Sequence, residues 1–183
     1  APAAPASATP ATTLAATPAA TLAGYVRPTY ALSNDEVAQE LFDLHRQEAA
    51  LAHRKLELIG EVERRGLGKV SGMANTAQWI AGRHRITTAE AGQLVKLSKK
   101  MEELPVTAAA LQRGEITFGH ARVIATAVDN LPSDAATPDL RRQVDATLAE
   151  HAHDFDPKVL SGLGRRILHH VDPDLSDRIL KRQ

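Results

Sequence analysis

Residues that start helices and residues that stop them alternate along most of this sequence, and they divide it into helices of limited length. Ser33-Asn34-Asp35-Glu36 has the spacing of a capping box, in which the serine hydroxyl and the glutamate carboxylate each satisfy an amide of the helix start. Apolar residues then recur at three- and four-residue intervals or sums of them, at Val37, Leu41, Leu44, Leu51, Leu58 and Val62. Gly66 follows as a stop signal, so we predict a long helix from Ser33 to Arg65.

The same kinds of signal mark six more helices. Caps or first-turn prolines stand at Asn75 or Thr76, Thr87, Pro105, Thr117, Thr137-Pro138 and Asp156-Pro157. Gly82, Gly114 and Pro173 are stop signals that end three of them. We therefore expect seven main helices, with a short amphipathic piece from Leu175 to Leu180 as a candidate eighth.

Composition supports an all-α fold, a compact multi-helix domain with a long N-terminal helix. Only 3% of the residues are aromatic, while 43% are hydrophobic, and a core of short or unbranched side chains suits closely packed helices better than a pleated sheet. The sequence contains no cysteine, which excludes disulfides, thiolate nucleophiles and cysteine-ligated zinc. We expect no redox chemistry.

The chain divides into three parts by composition. Residues 1–32 are rich in Ala, Pro and Thr, and their prolines forbid a continuous helix, so we predict a disordered arm. We predict that residues 33–174 form the helical domain and that residues 175–183 form a C-terminal tail, which we expect to lead towards a further domain. No apolar run reaches the roughly 18 residues that a transmembrane helix needs, so we expect a cytoplasmic protein with no membrane partner.

A basic cluster suggests nucleic-acid binding, although 22 basic and 22 acidic residues give a net charge of zero. Trp79 to Met101 reads as a short helix, a turn and a second helix, which is the arrangement that places one helix in the major groove. This segment carries Arg83, Arg85, Lys96, Lys99 and Lys100, and its one acid is Glu90. The alternative is that these side chains form only a solvated helix face.

Several short motifs resemble one protein family. They are Glu63-Arg64-Arg65-Gly66-Leu67, Trp79, Leu104-Pro105, Gly114-Glu115-Ile116-Thr117, His120-Ala121-Arg122, Asp156-Pro157 and Val171-Asp172-Pro173-Asp174. Over about Asn34 to Asp174 the chain is similar to the actinobacterial domain-of-unknown-function family 222, which includes the mycobacterial 13E12 repeat proteins. In that family the helical region commonly precedes a C-terminal HNH endonuclease domain and has no established catalytic residues. The resemblance implies a non-catalytic DNA-binding or DNA-targeting region of an HNH-endonuclease-associated protein.

A second resemblance is shorter. Leu111 to Thr117 and Gly119 to Arg122 are similar to the helix-turn-helix region of ParB-type chromosome-partitioning proteins. It favours contact of both the basic helix and Gly119 to Arg122 with nucleic acid, with duplex DNA the expected partner. Separately, Gln93 can reach a base edge if its helix enters the major groove. The candidate nucleic-acid-binding residues are Arg83, Arg85, Gln93, Lys96, Lys99, Lys100, His120 and Arg122. For His120, a capping or core role is an equal alternative.

We expect no catalytic residue, metal or cofactor on this chain. His169-His170 lies in a predicted helix, without the ββα unit of an HNH site, and adjacent helical residues point about 100° apart. His151-Ala152-His153-Asp154 has metal-ligand types but sits at a predicted helix end, where histidine is favoured electrostatically. Trp79 reads more readily as a core anchor than as a base-stacking platform.

A different class of function is also compatible with the sequence. The alternative is a protein-interaction or homodimerisation module with no nucleic-acid binding, in which the long helix pairs with a copy of itself. Leucines at a coiled-coil-like spacing on that helix would need a partner surface.

Overall fold

The computed structural model describes residues 27–132 and 136–171, and the described part is all-α, as predicted. A 3-10 turn at Thr29–Ala31 precedes α1 (Asn34–Arg64), α2 (Leu67–Val70), α3 (Thr76–His84), α4 (Thr88–Glu103), α5 (Pro105–Gln112), α6 (Phe118–Asp129), α7 (Pro138–His151) and α8 (Pro157–Val171). All seven main predicted helices are present, whereas the single-turn α2 was not predicted. Most of the predicted arm and the Leu175–Leu180 piece lie outside the described residues.

Local side-chain chemistry explains where these helices begin. Asn75, Thr87, Thr117 and Thr137 each accept a hydrogen bond from the backbone amide three residues later, at the starts of α3, α4, α6 and α7. Ser33 and Glu36 form the expected reciprocal pair, with the Ser33 amide donating to the Glu36 carboxylate over 2.7 Å. These bonds satisfy amides that have no partner within the helix.

The structure divides into two units between Glu40 and Leu41, so the described residues of the first are 27–40 and those of the second are 41–132 and 136–171. Within the described part of the first unit, Arg27 donates to Glu36 over 2.8 Å. The second unit contains the hydrophobic core, and its most closely packed helix pairs are α3 with α4 and α6 with α8. The largest fully buried apolar side chains are Leu56, Leu104, Leu111, Ile116, Ile124, Val128, Leu148 and Leu160.

The long helix α1 does not bury the leucine stripe that its spacing suggests. Its buried residues are Ala49, His53, Leu56 and Ile59, which lie on one face. The leucines of the stripe are not among these buried residues. Leu41, Leu44, Leu51 and Leu58 remain 55%, 46%, 56% and 51% exposed, respectively.

A buried carboxylate joins two helices that are distant in sequence. Asp145 of α7 is fully buried, and its carboxylate accepts from the amides of Val106 and Thr107 over 3.0 and 3.2 Å and from the Thr107 hydroxyl over 2.5 Å. Leu104, the N-cap residue of α5, has no side-chain cap of its own. Asp145 therefore caps α5 from another helix.

Candidate nucleic-acid interface

Helices α3 and α4 form the helix-turn-helix-like unit expected from the sequence. They pack closely against each other and are joined by residues 85–87. Arg85 ends α3 in the left-handed conformation, with φ of 56°, and Thr87 accepts from the Glu90 amide over 3.1 Å to begin α4. The turn is thus fixed at both ends.

Trp79 and Arg83 interact with each other at the surface of α3. The Trp79 ring packs partly buried against the core, and its Nε1 donates to the Ser71 hydroxyl over 3.1 Å. The Arg83 guanidinium lies 5.0 Å from the ring centroid, in the geometry of a cation–π contact. Trp79 therefore serves as a core anchor, and its ring already carries a cation.

All three candidate lysines of α4 are ion-paired. Lys96 and Lys100 lie 2.8 and 2.7 Å from the Asp129 carboxylate of α6, and Lys100 also lies 2.8 Å from Glu103. Lys99 turns the other way, to Glu63 of α1 over 2.6 Å. The lysines of the basic cluster are therefore paired with acids in the fold, whereas Arg83 and Arg85 have no ion-pair partner among the described residues.

The pairing around Asp129 shifts the pKa values of Asp129 and Lys100. Burial opposes the ionised form of Asp129, but hydrogen bonds from Lys100 and Lys96 hold the pKa of this carboxyl below its usual value. Burial also opposes the charged form of Lys100, but hydrogen bonds with Asp129 and Glu103 raise the pKa of its amine. Because the carboxyl pKa is lowered on folding, the stability contributed by Asp129 is lost as the pH falls through that pKa.

Four of the candidate residues meet around one surface depression of about 230 Å³ between α4 and α6. It is lined by Gln93, Lys96, Leu97, Lys100, Arg122, Ala125, Thr126 and Asp129. A second depression of about 440 Å³ adjoins it between α6 and α8, lined by Gly119, Arg122, Val123, Thr126, Ala127, Asn130, Pro157, Ser161, Gly164 and Arg165. The two share Arg122 and Thr126, and we call them together the Arg122 groove.

The α6–α8 half of the Arg122 groove carries two free arginines. Arg122 and Arg165 both line it, both are exposed, and neither has an ion-pair partner among the described residues. Among those residues, no carboxylate lines this half. Sequence reasoning missed Arg165 because it lies in another helix, 43 positions from Arg122.

His120 is engaged on both sides of its ring. Nδ1 accepts from the Thr117 amide over 3.1 Å, completing a capping box in which histidine takes the place usually held by glutamate or glutamine. Nε2 lies 2.9 Å from the carbonyl oxygen of Phe155, to which it donates when Nδ1 is the acceptor. His120 is only 8% exposed, so in the structure it acts as a helix cap, which was the alternative to a phosphate contact.

The other candidates stand apart from the groove. Arg85 is exposed at the α3–α4 turn. His151 packs against Phe155, with ring centroids 6.0 Å apart.

Within the described residues, no group of three or more histidine, aspartate or glutamate side chains is arranged to hold a metal ion. No helix in the same part of the chain has the length and apolar character needed to cross a bilayer.

Comparison with known proteins identifies a family. No curated protein and no solved structure matches the chain. The model of one family, a domain of unknown function designated DUF222, matches residues 36–183. The ParB-type similarity stays a prediction, since none of these comparisons supports it. The family match covers most of the chain, which therefore belongs to the DUF222 family.

Proposed function

We propose that this helical region binds duplex DNA without catalysing a reaction, and that it targets an HNH endonuclease domain to DNA. The HNH association rests on the family resemblance. DNA binding is supported by the Arg122 groove, which joins the helix-turn-helix-like unit to α6 and α8. The single observation that carries the proposal is that Arg122 and Arg165 line the same depression. Among the described residues, no carboxylate lines it.

The groove offers chemistry that suits a phosphodiester backbone. A guanidinium presents a planar fork of N–H donors that matches two phosphate oxygens, and it stays charged at any physiological pH. The Ser161 hydroxyl and the Asn130 amide line the same half and supply neutral donors. At the other half, Gln93 is exposed on α4, where its amide is available to a base edge.

The lysines of α4 have a secondary part in this proposal. A phosphate that approaches Lys96 or Lys100 must compete with Asp129 for the same ammonium groups. The free arginines face no such competitor among the described residues, so they contribute more affinity for each positive charge.

Neutralising the two free arginines is the direct test. In the Arg122→Gln/Arg165→Gln variant, we expect the affinity for duplex DNA to fall and the slope of log K against log salt to shrink by about two. Fluorescence anisotropy of a labelled duplex at several salt concentrations measures both quantities. The matched control is Arg64→Gln/Arg142→Gln, which removes two exposed, ion-paired arginines outside the groove and should keep nearly the parental slope. If both double variants lost affinity equally, the loss would reflect net charge alone and the groove assignment would be wrong. If the parent chain showed no salt-dependent binding to duplex DNA, the proposal would be refuted.

Removing the competing carboxylate tests the role of the lysines. Asp129→Asn leaves Lys96 and Lys100 without their shared partner, so we expect tighter DNA binding, with the salt slope steeper by about one or two. The variant should also lose the acid-sensitive stability described above. The same anisotropy titration measures the affinity, and circular dichroism confirms the fold. Unchanged affinity in a folded variant would restrict the interface to the α6–α8 half.

A further inference from the structure

The outer face of α1 carries an apolar stripe that the core leaves uncovered. Leu41, Leu44, Leu51 and Leu58 are each about half exposed, at 46–56%. At about 100° per residue, Leu44, Leu51 and Leu58 project away from the buried His53, whereas Leu41 shares the direction of the buried Ile59, 18 residues later. A contiguous row of half-exposed leucines is unusual for a face that meets only water.

The spacing of the stripe is that of a coiled coil. Leu44, Leu51 and Leu58 are seven residues apart and occupy one core position of each heptad, conventionally d. The other core position, a, is three residues earlier in each case and holds Leu41, Glu48 and Lys55. All of these positions are exposed, and the middle of the seam contains one acid and one base, Glu48 and Lys55, which also line a depression of about 460 Å³ that α1 shares with α4 and the start of α6.

The two charged residues select an orientation. In a parallel pair, equivalent positions face each other, so Glu48 would oppose Glu48 of the second copy and Lys55 would oppose Lys55. In an antiparallel pair with Leu41 opposite Leu58 of the second copy, each Glu48 comes within about one helical turn of the opposing Lys55. Lys55 has no ion-pair partner among the described residues, and Glu48 is 3.6 Å from His45 and highly exposed. Opposite charges are thus brought together only in the antiparallel arrangement.

We propose that α1 pairs with α1 of a second copy of this chain, antiparallel and in the register that places Leu41 against Leu58 of the other copy. The paired segment runs from Leu41 to Leu58 in both chains, and two symmetry-related Glu48 to Lys55 contacts flank its centre. This inference is independent of DNA binding, since it uses a different helix and no residue of the Arg122 groove. Burial of the leucines stabilises the dimer, while the charges of Glu48 and Lys55 select the antiparallel orientation.

Disulfide cross-linking tests the orientation, and the absence of native cysteine gives a clean background. We expect an equimolar mixture of the Leu41→Cys and Leu58→Cys full-length proteins to form a disulfide-linked heterodimer on mild oxidation. Each variant alone should link poorly, because identical positions lie about 25 Å apart in this register. Gln143→Cys, exposed on α7, is the control for random collision. Efficient linkage of each variant with itself would show a parallel pair and overturn the proposal.

Light scattering with charge exchange tests the association itself. The parent chain should approach twice its monomer mass of 19.7 kDa as concentration rises. Glu48→Lys or Lys55→Glu alone should weaken the dimer roughly tenfold, and the double exchange should restore it. Leu51→Glu should leave a folded monomer, because this side chain is 56% exposed and is not needed in the core. The pairing would be refuted if the parent chain stayed monomeric at high micromolar concentration. It would also be refuted if the single variants Glu48→Lys and Lys55→Glu associated as well as the parent.

Discussion

Replacement of Asp145 by alanine is expected to lower the free energy of unfolding by about 3 kcal/mol, because it removes the acceptor of three hydrogen bonds at once. Thr107 is fully buried, so its amide and hydroxyl cannot turn to water in compensation. Each buried donor left without an acceptor costs about 1–3 kcal/mol. The cost should exceed that of an ordinary surface cap, which is about 1 kcal/mol.

Urea unfolding followed by circular dichroism measures this loss. Asp139→Ala is the matched control, since it removes an aspartate from the same helix whose side chain is 86% exposed and pairs only locally with Arg142. We expect the control to change stability by less than about 0.5 kcal/mol. Asp145→Asn should fall between the two, because the amide keeps one oxygen acceptor but turns a donor towards donors. If Asp145→Ala and Asp139→Ala were equally stable, the capping role of Asp145 would be disproved.

The helix starts are predictable from the sequence because the chemistry that sets them is local, whereas the helix end predicted at Gly82 is wrong, since α3 continues to His84. Thr87, Thr117 and Thr137 reach amides only three residues away, and Pro105 lacks the amide that a helix start leaves unpaired. Single-turn α2 escapes prediction for a related reason. It lies between two glycines, Gly66 and Gly72, that read as loop signals, and it is too short to show an apolar period.

The candidate site is predictable only in part because ion pairing depends on which helix faces meet. The sequence places Lys96 and Lys100 on one side of α4, but it does not show that Asp129 of α6 arrives there. Arg122 is identified from its motif, while Arg165 joins it only through the packing of α6 on α8. Asp145 is missed because it lies within a predicted helix, and its role depends on a helix start 38 residues earlier.

The role of Gly114 also depends on a contact between parts of the chain that are distant in sequence. Its replacement is expected to give the second large loss of stability. Gly114 has φ of 69°, and a Cβ atom there would lie 2.5 Å from the carbonyl oxygen of Arg46 on α1. Arg46 also donates from its guanidinium to the Arg113 carbonyl over 3.2 Å, so this residue of α1 contacts the turn through both its backbone and its side chain. A backbone oxygen cannot rotate away as a flexible side chain can, so an alanine must displace the helix or the turn.

Gly114→Ala is therefore expected to cost about 2–4 kcal/mol, the sum of about 1–2 kcal/mol for left-handed backbone and a similar amount for the displaced contact. Gly66→Ala separates the two contributions, because Gly66 also has positive φ, 62°, but would place its Cβ with nothing within 4 Å. Urea unfolding should show a loss of only about 1–2 kcal/mol for Gly66→Ala. The difference between the variants measures how strongly the Gly114 turn holds α1, and equal losses would mean that this close approach contributes no stability beyond the backbone conformation. Because the same helix carries the exposed leucine stripe, loosened packing of α1 in Gly114→Ala should also appear as faster amide hydrogen exchange along its buried face at Ala49, His53 and Leu56.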